Sequence, residues 1–239
     1  MTVRLHEGAG NWFVVITQFL LLALLSLSNV PHGFALGMTT AGALALLGWS
    51  AASRRARVVA DTASSKIDTA AQGYVELSGV AEPLPAAALC DPASGVACVW
   101  YRVETHVNQG GGWVIERTVR SAAPIRLRDE TGVCLIVPKG AELRLASEER
   151  VKESPAREHR VQRILPGDRL YAIGRFETRG SAVGQPQHFL RAPTDGRPFV
   201  LSDRPAQRLA DQYREWAKTH AAVAFLGLVV AITLALTTL

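Results

Sequence analysis

Three uninterrupted apolar runs frame a polar, Arg-rich block, and this alternation constrains the chain more than any other feature. The runs are residues 12–30, 34–52 and 221–239, and the last carries no charge. Each approaches the ~20 residues that cross a bilayer as a helix. Between the second and third lie roughly 165 residues of water-exposed composition, enough for one hydrophobic core. The pattern predicts three transmembrane α-helices and one globular domain tethered at both ends. The first run is too long for the apolar part of a signal peptide and a second follows at once, so it is read as a retained helix.

Flanking charges predict the orientation. Arg54, Arg55 and Arg57 follow the second run, and Arg214 and Lys218 precede the third. The turn Ser28-Asn29-Val30-Pro31-His32-Gly33 has no Lys or Arg. Positive residues stay on the cytoplasmic side, so the domain is expected inside the cell with the C-terminus outside. Trp49 and Trp216 lie at the expected headgroup level. Gly33, Gly37, Ala41 and Ala45 recur every four residues, a small-residue face for close helix packing. That face is expected to receive the first span; self-association through it is the alternative. Thr17 and Gln18 inside the first run read as hydrogen-bonding contacts between helices rather than a transport site.

Charge narrows the partners. Lys+Arg total 26 against Asp+Glu 21, a formal charge of +5, and only Lys66, Lys139, Lys152 and Lys218 are lysines. The excess is mild and dispersed. It suits anionic membrane lipids better than nucleic acid, which asks for a dense basic stripe interleaved with aromatics. Cys90, Cys98 and Cys134 show no zinc-ligand spacing, and no metal or cofactor is expected. A Cys90–Cys98 disulfide is open on spacing alone, but buried free thiols are the expected state.

The organisation expected is a transmembrane hairpin over 1–53, a connector over 54–72, a β domain over 73–202, a juxtamembrane helix over 203–220 and a last span over 221–239. Strands are predicted over 74–80, 96–107, 113–121, 125–128, 133–137, 160–165, 169–176, 187–191 and 198–201. The longest alternates Val99, Tyr101, Val103, Thr105 and Val107 with Trp100, Arg102, Glu104 and His106, a half-buried pattern. Residues 146–159, charged and containing Pro155, read as a surface loop. Ser202 or Asp203 is placed to cap a helix with Pro205 in its first turn. Many short strands closely spaced indicate a mainly β domain, a partly open barrel of oligonucleotide/oligosaccharide-binding type or a small sandwich.

Four segments in order carry a resemblance. They are Gly95-Val96-Ala97-Cys98-Val99-Trp100-Tyr101-Arg102, Ile125-Arg126-Leu127-Arg128-Asp129-Glu130-Thr131-Gly132, Leu165-Pro166-Gly167-Asp168-Arg169-Leu170-Tyr171-Ala172-Ile173-Gly174 and Arg197-Pro198-Phe199-Val200-Leu201-Ser202. Together with the closing helix, they resemble the beside-a-membrane domain of the GIDE/Mulan family over residues 67–239. The family's animal members are mitochondrial E3 ubiquitin ligases with a C-terminal RING. This sequence stops at Leu239, and three cysteines do not furnish two zinc sites, so it looks like a RING-less bacterial-type member in an inner membrane. The resemblance implies a recognition or regulatory module; a ligase-like subunit needing a separate RING partner is the alternative.

Catalytic patterns are sparse. HExxH, GxSxG and a phosphate-binding loop are absent. His106 beside Glu104 is the one acid–base pair within strand reach, and a solvated strand face is its simpler reading; a membrane-associated hydrolase is the remaining alternative. Asp129 and Asp168 sit in turns, where a carboxylate bonds its own turn amides. Trp100 and Trp113 are expected to face each other across a hairpin, as packing or as an aromatic platform. A protein partner is expected at Gly110, Gly111 and Gly112 and at the 146–159 segment through Arg150, Arg157 and Arg160. No catalytic residue is assigned.

Overall fold

A computed structural model of the chain describes residues 33–84, 89–180 and 186–237. It divides into a β unit, Val58–Arg208, and a helical unit formed by the remaining residues.

The β unit begins with β1 (Ser64–Ser65) and β2 (Gly73–Glu82). A two-stranded ladder, β3 (Leu89–Cys90) with β4 (Ala97–Cys98), follows. Then come β5 (Trp100–Asn108), β6 (Trp113–Arg120), β7 (Ile125–Arg128), β8 (Val133–Ile136) and β9 (Glu142–Arg144). The last strands are β10 (Glu149–Ser154), β11 (Arg157–Ile164), β12 (Arg169–Arg179), β13 (Gln187–Arg191) and β14 (Val200–Ser202).

Strands β2, β7, β8, β13 and β12 form a closed ring, because β12 pairs back onto β2 from Arg169↔Val80 to Phe176↔Gly73. The mainly β expectation therefore holds, with the barrel closed. Its interior is apolar, with Leu77, Ala81, Ile125, Leu127, Cys134, Ile136, Phe176 and Leu190 all buried. Closure brings backbones close at two glycines. A Cβ on Gly79 would lie 2.4 Å from the Arg128 carbonyl oxygen, and one on Gly174 2.9 Å from that of Arg191. A second sheet runs in the order β10-β11-β5-β6, and its Trp100 and Ile164 join the barrel core.

Strand β10 corrects the expected surface loop at 146–159. Pro155 falls in the two-residue turn between β10 and β11, and the charged residues before it form an edge strand. Edge strands tolerate charge because one flank faces water. The open Cys90–Cys98 disulfide is also settled: all three cysteines are free. The register pairs Leu89 with Cys98 and Cys90 with Ala97, so the two thiols lie on opposite faces of the ladder.

The helical unit contains most of α1 (Gly33–Ala60) and of α2 (Ala206–Thr237). Small residues join them. A Cβ on Gly227 would stand 3.3 Å from the Gly42 Cα, and one on Gly48 2.9 Å from His220 Nδ1. Gly37, Ala41 and Ala45 of the predicted small-residue face are buried. His220 is 3% exposed, and its burial lowers its pKa.

The three transmembrane helices expected from the sequence are corrected. Two helices are described, and among the described residues none is long and apolar enough to cross a membrane. In α1 the apolar run is thinned by Gly37, Thr39, Thr40, Gly42, Gly48 and Ser50 and gives way to Arg54, Arg55 and Arg57. In α2 the first turns are spent on Arg208, Asp211, Arg214, Glu215 and Lys218. The integral-membrane reading, with its cytoplasmic domain and bacterial inner-membrane location, falls with the spans. Trp49, Arg54, Arg55 and Arg57 lie on α1, and Arg214, Trp216 and Lys218 on α2. Arg54 and Arg57 donate to the Ser50 and Ser53 carbonyls, and Arg214 and Lys218 pair with Asp211 and Glu215, each at 2.7 Å. The first run, with Thr17, Gln18 and the turn after it, lies outside the described residues.

Candidate functional site: the four-stranded sheet

Strands β5 and β11 form the middle of the second sheet, paired without a break from Trp100↔Ile164 to Val107↔Arg157. The face of β5 carrying Arg102, Glu104 and His106 is not solvated, contrary to the sequence reading. Glu104, His106 and Glu158 are 6%, 5% and 6% exposed. The register places Arg160 opposite Glu104 and Glu158 opposite His106. Arg102 pairs with Glu104, and Arg160 Nε lies 3.4 Å from Glu158 Oε1. Two guanidinium groups thus balance two carboxylates, the condition for burying charge without a large penalty. His106 Nε2 stands 3.4 Å from Glu104 Oε2 but makes no hydrogen bond. A base sealed this way, beside a carboxylate already held by arginine, reaches no substrate proton.

The other face holds a hydroxyl–imidazole–carboxylate series. Thr105 Oγ1 is 3.1 Å from His159 Nδ1, and His159 Nε2 is 2.9 Å from Glu153 Oε2. Arg157 continues it, at 3.0 Å from Glu153 and 2.6 Å from Glu116. The order resembles a catalytic relay, but the environment is wrong for one. Thr105 is 7% exposed in mid-strand, flanked by ladders on both sides. The adjoining backbone amides are thereby engaged and do not converge on a developing oxyanion. The series instead ties all four strands together. His188 is likewise spent on structure, 3.0 Å from Thr178 Oγ1 and stacked on Phe176.

The turn carboxylates behave as turn carboxylates. Asp129 accepts from the amides of Thr131 at 2.7 Å, Gly132 at 2.9 Å and, across 62 residues, Ile67 at 2.8 Å. Burial works to raise its pKa, but these hydrogen bonds prevail and hold it below the usual carboxylate value. Asp168 accepts from the Leu165 amide at 2.7 Å. Asp91, 1% exposed, is bonded by Ser94 and Ala93 and stands 3.4 Å from Arg163 Nε. Burial pushes the Cys134 thiol up to about 12, with the Asp129 charge adding to it, so this thiol is inert near neutrality. Among the described residues no group of three or more His, Cys, Asp or Glu is placed to hold a metal.

The residues expected to bind a partner all fall on or beside this sheet. Gly110, Gly111 and Gly112 form the tip between β5 and β6, where an added Cβ would touch nothing. Gly110 and Gly112 have φ of 82° and 149°, values that favour glycine. Arg150 is exposed on β10, while Arg157 and Arg160 on β11 are engaged in the ion pairs described above. The Trp100–Trp113 pairing is corrected. An antiparallel hairpin pairs the residues nearest its turn, so Trp113 opposes Asn108. Trp100, at the far end, is 1% exposed and donates to the Ser121 carbonyl at 3.1 Å.

Sequence reasoning missed the apolar tip. Trp113, Val114 and Ile115 are 42%, 50% and 50% exposed on an edge strand. The available signal was three large apolar residues in a row after a glycine turn, where a one-faced strand would alternate.

Comparisons with known proteins find no matching family model, no similar curated protein and no similar solved structure.

Proposed function

We propose that this chain is a non-enzymatic, GIDE-like β module that captures a protein partner on its four-stranded sheet. One observation carries the reading: the β5–β6 hairpin presents Trp113, Val114 and Ile115 to solvent beside an open Gly110–Gly112 tip. Contiguous exposed apolar residues at a polar rim mark interaction sites, and aromatic anchors dominate binding energy at interfaces. The polar rim here is Arg157 and Glu116, while Arg150 stands on the opposite edge of the sheet. The histidine-centred networks hold strands together, so the sheet is a rigid platform for that hairpin.

The test is site-specific photo-cross-linking in the native cell. A photoreactive residue at Gly111 is expected to trap a discrete partner, and one at Lys139, near the barrel, is not. With the probe at Gly111, replacing Trp113 and Ile115 together by Ser should reduce the adduct while leaving the thermal midpoint nearly unchanged, since both side chains are exposed. Equal trapping from both positions would refute the assignment. The identity of the adduct also tests the ligase-like form of the proposal, since a RING-bearing chain is its required partner.

A further inference from the structure

The second sheet has two edges, and they are built differently. At one edge, β10 reads Glu149, Arg150, Val151, Lys152, Glu153, Ser154 and carries a bulge between Lys152 and Ser154. Charge and bulging are the usual means of keeping an edge from pairing with another chain. At the other edge, β6 opens with Trp113, Val114 and Ile115, all large, apolar and exposed. Its ladder to β5 is regular through these three; β6 has its own bulge at Glu116, so the regular open stretch is Trp113–Ile115. Every second backbone N–H and C=O of this stretch therefore points away from β5, with no strand on that side among the described residues.

The second half of β6 supplies the charge. Glu116 is taken by Arg157 at 2.6 Å. Arg117 and Arg120 have no carboxylate partner among the described residues. The open edge thus offers apolar side chains followed by two unneutralised guanidinium groups.

We propose that β6 takes up an extended segment of the partner protein as an added strand, with apolar side chains against Trp113–Ile115 and carboxylates against Arg117 and Arg120. This rests on the capture reading above and specifies its mode and chemistry. Strand addition draws affinity from main-chain hydrogen bonds and selectivity from alternate side chains. A second copy of the chain fits less well. A two-fold axis perpendicular to an antiparallel pair sets one residue opposite itself, and centring it on β6 brings Glu116 against Glu116 or Arg117 against Arg117. Like charges directly opposite destabilise a ladder.

The experiment uses the full chain and three labelled ten-residue peptides, read by fluorescence anisotropy. The first has Val throughout the half that meets Trp113–Ile115 and Glu throughout the half that meets Arg117 and Arg120, which project from opposite faces of β6. The second is the same peptide N-methylated at two successive central amides, which blocks both of its edges. The third has Lys in place of Glu. The Val/Glu peptide is expected to bind, and either change should weaken it by about ten-fold or more, the equivalent of one or two hydrogen bonds or charge pairs. The double variant R117E/R120E, which leaves the backbone alone, should prefer the Lys peptide. Equal binding of all three peptides overturns the proposal. So does a chain dimer in sedimentation that is lost in Ile115→Lys, since the edge would then belong to a second copy. If cross-links from Gly111 persist but no peptide binds, strand addition fails and the capture reading stands. If cross-links also vanish, both fail.

Discussion

Asp129 shows how much one side chain can organise. Its two oxygens close the β7–β8 turn through Thr131 and Gly132 and hold the segment before β2 through Ile67. Asp129→Ala removes all of these acceptors at once and should cost about 2–3 kcal/mol in urea unfolding at neutral pH. The pH dependence follows from the sign of the shift. The folded-state pKa is lowered, so the carboxylate contributes fully above its unfolded value of about 3.9, and the contribution is lost as pH falls through the folded value. The gap between wild type and variant should therefore be widest at pH 7 and close below about pH 4. A gap that widens in acid contradicts this account. The local half of the role was legible, since Asp-Glu-Thr-Gly reads as a turn. The bond to Ile67 was not, because no local pattern says which segment 62 residues away will lie against a turn.

At the scale of elements, periodicity served where one face is buried and failed where both or neither are. Ile125–Arg128 matches its predicted range because apolar and polar residues alternate in it and a turn follows it; Gln187–Arg191 matches as well, though its residues do not alternate. Strand β10 was unreadable because both of its faces are largely exposed and its sequence is mostly charged. Strand β5 was misjudged in the other direction. Its polar face is covered, and the charges there are balanced by the Arg102–Glu104 pair on β5 and the Arg160–Glu158 pair on β11, strands that only the fold brings side by side. Apolar runs 34–52 and 221–239 were read by length as spans. Their helices instead use Gly42, Gly48 and Gly227 to approach one another. The barrel depends on glycine in the same way. Gly174→Ala would force a methyl group to 2.7 Å from Phe199 Cδ2 and 2.9 Å from the Arg191 carbonyl oxygen. It should cost about 1–3 kcal/mol, read from the urea midpoint at constant slope. Gly180→Ala, where the added carbon meets nothing, is the control and should stay within about 0.5 kcal/mol. Equal effects at the two sites would show that close strand approach is not what the barrel requires.

Across the β unit as a whole, the consequential feature is the pairing of β2 with β12, which joins Gly73–Glu82 to Arg169–Phe176 and closes the ring. Between these strands in the chain lies the entire four-stranded sheet, whose hairpins β5–β6 and β10–β11 pair neighbours in sequence. The parallel pairs β8–β13 and β9–β14 are likewise remote in sequence from one another. Contacts between distant segments pay their loop-closure entropy late, and they slow folding. The chain thus carries a timetable. On a ribosome, the inserted sheet has all of its strands available before the first barrel strand meets its closing partner, so the interaction platform matures ahead of the body that supports it. Pulse-labelled hydrogen exchange during refolding should protect amides of Trp100–Asn108 and Trp113–Arg120 before those of Gly73–Glu82. Simultaneous protection would mean that ring closure nucleates the fold. If the order holds, a half-made chain exposes an adhesive edge before its barrel exists, which makes the interval before ring closure the period of greatest risk for aggregation.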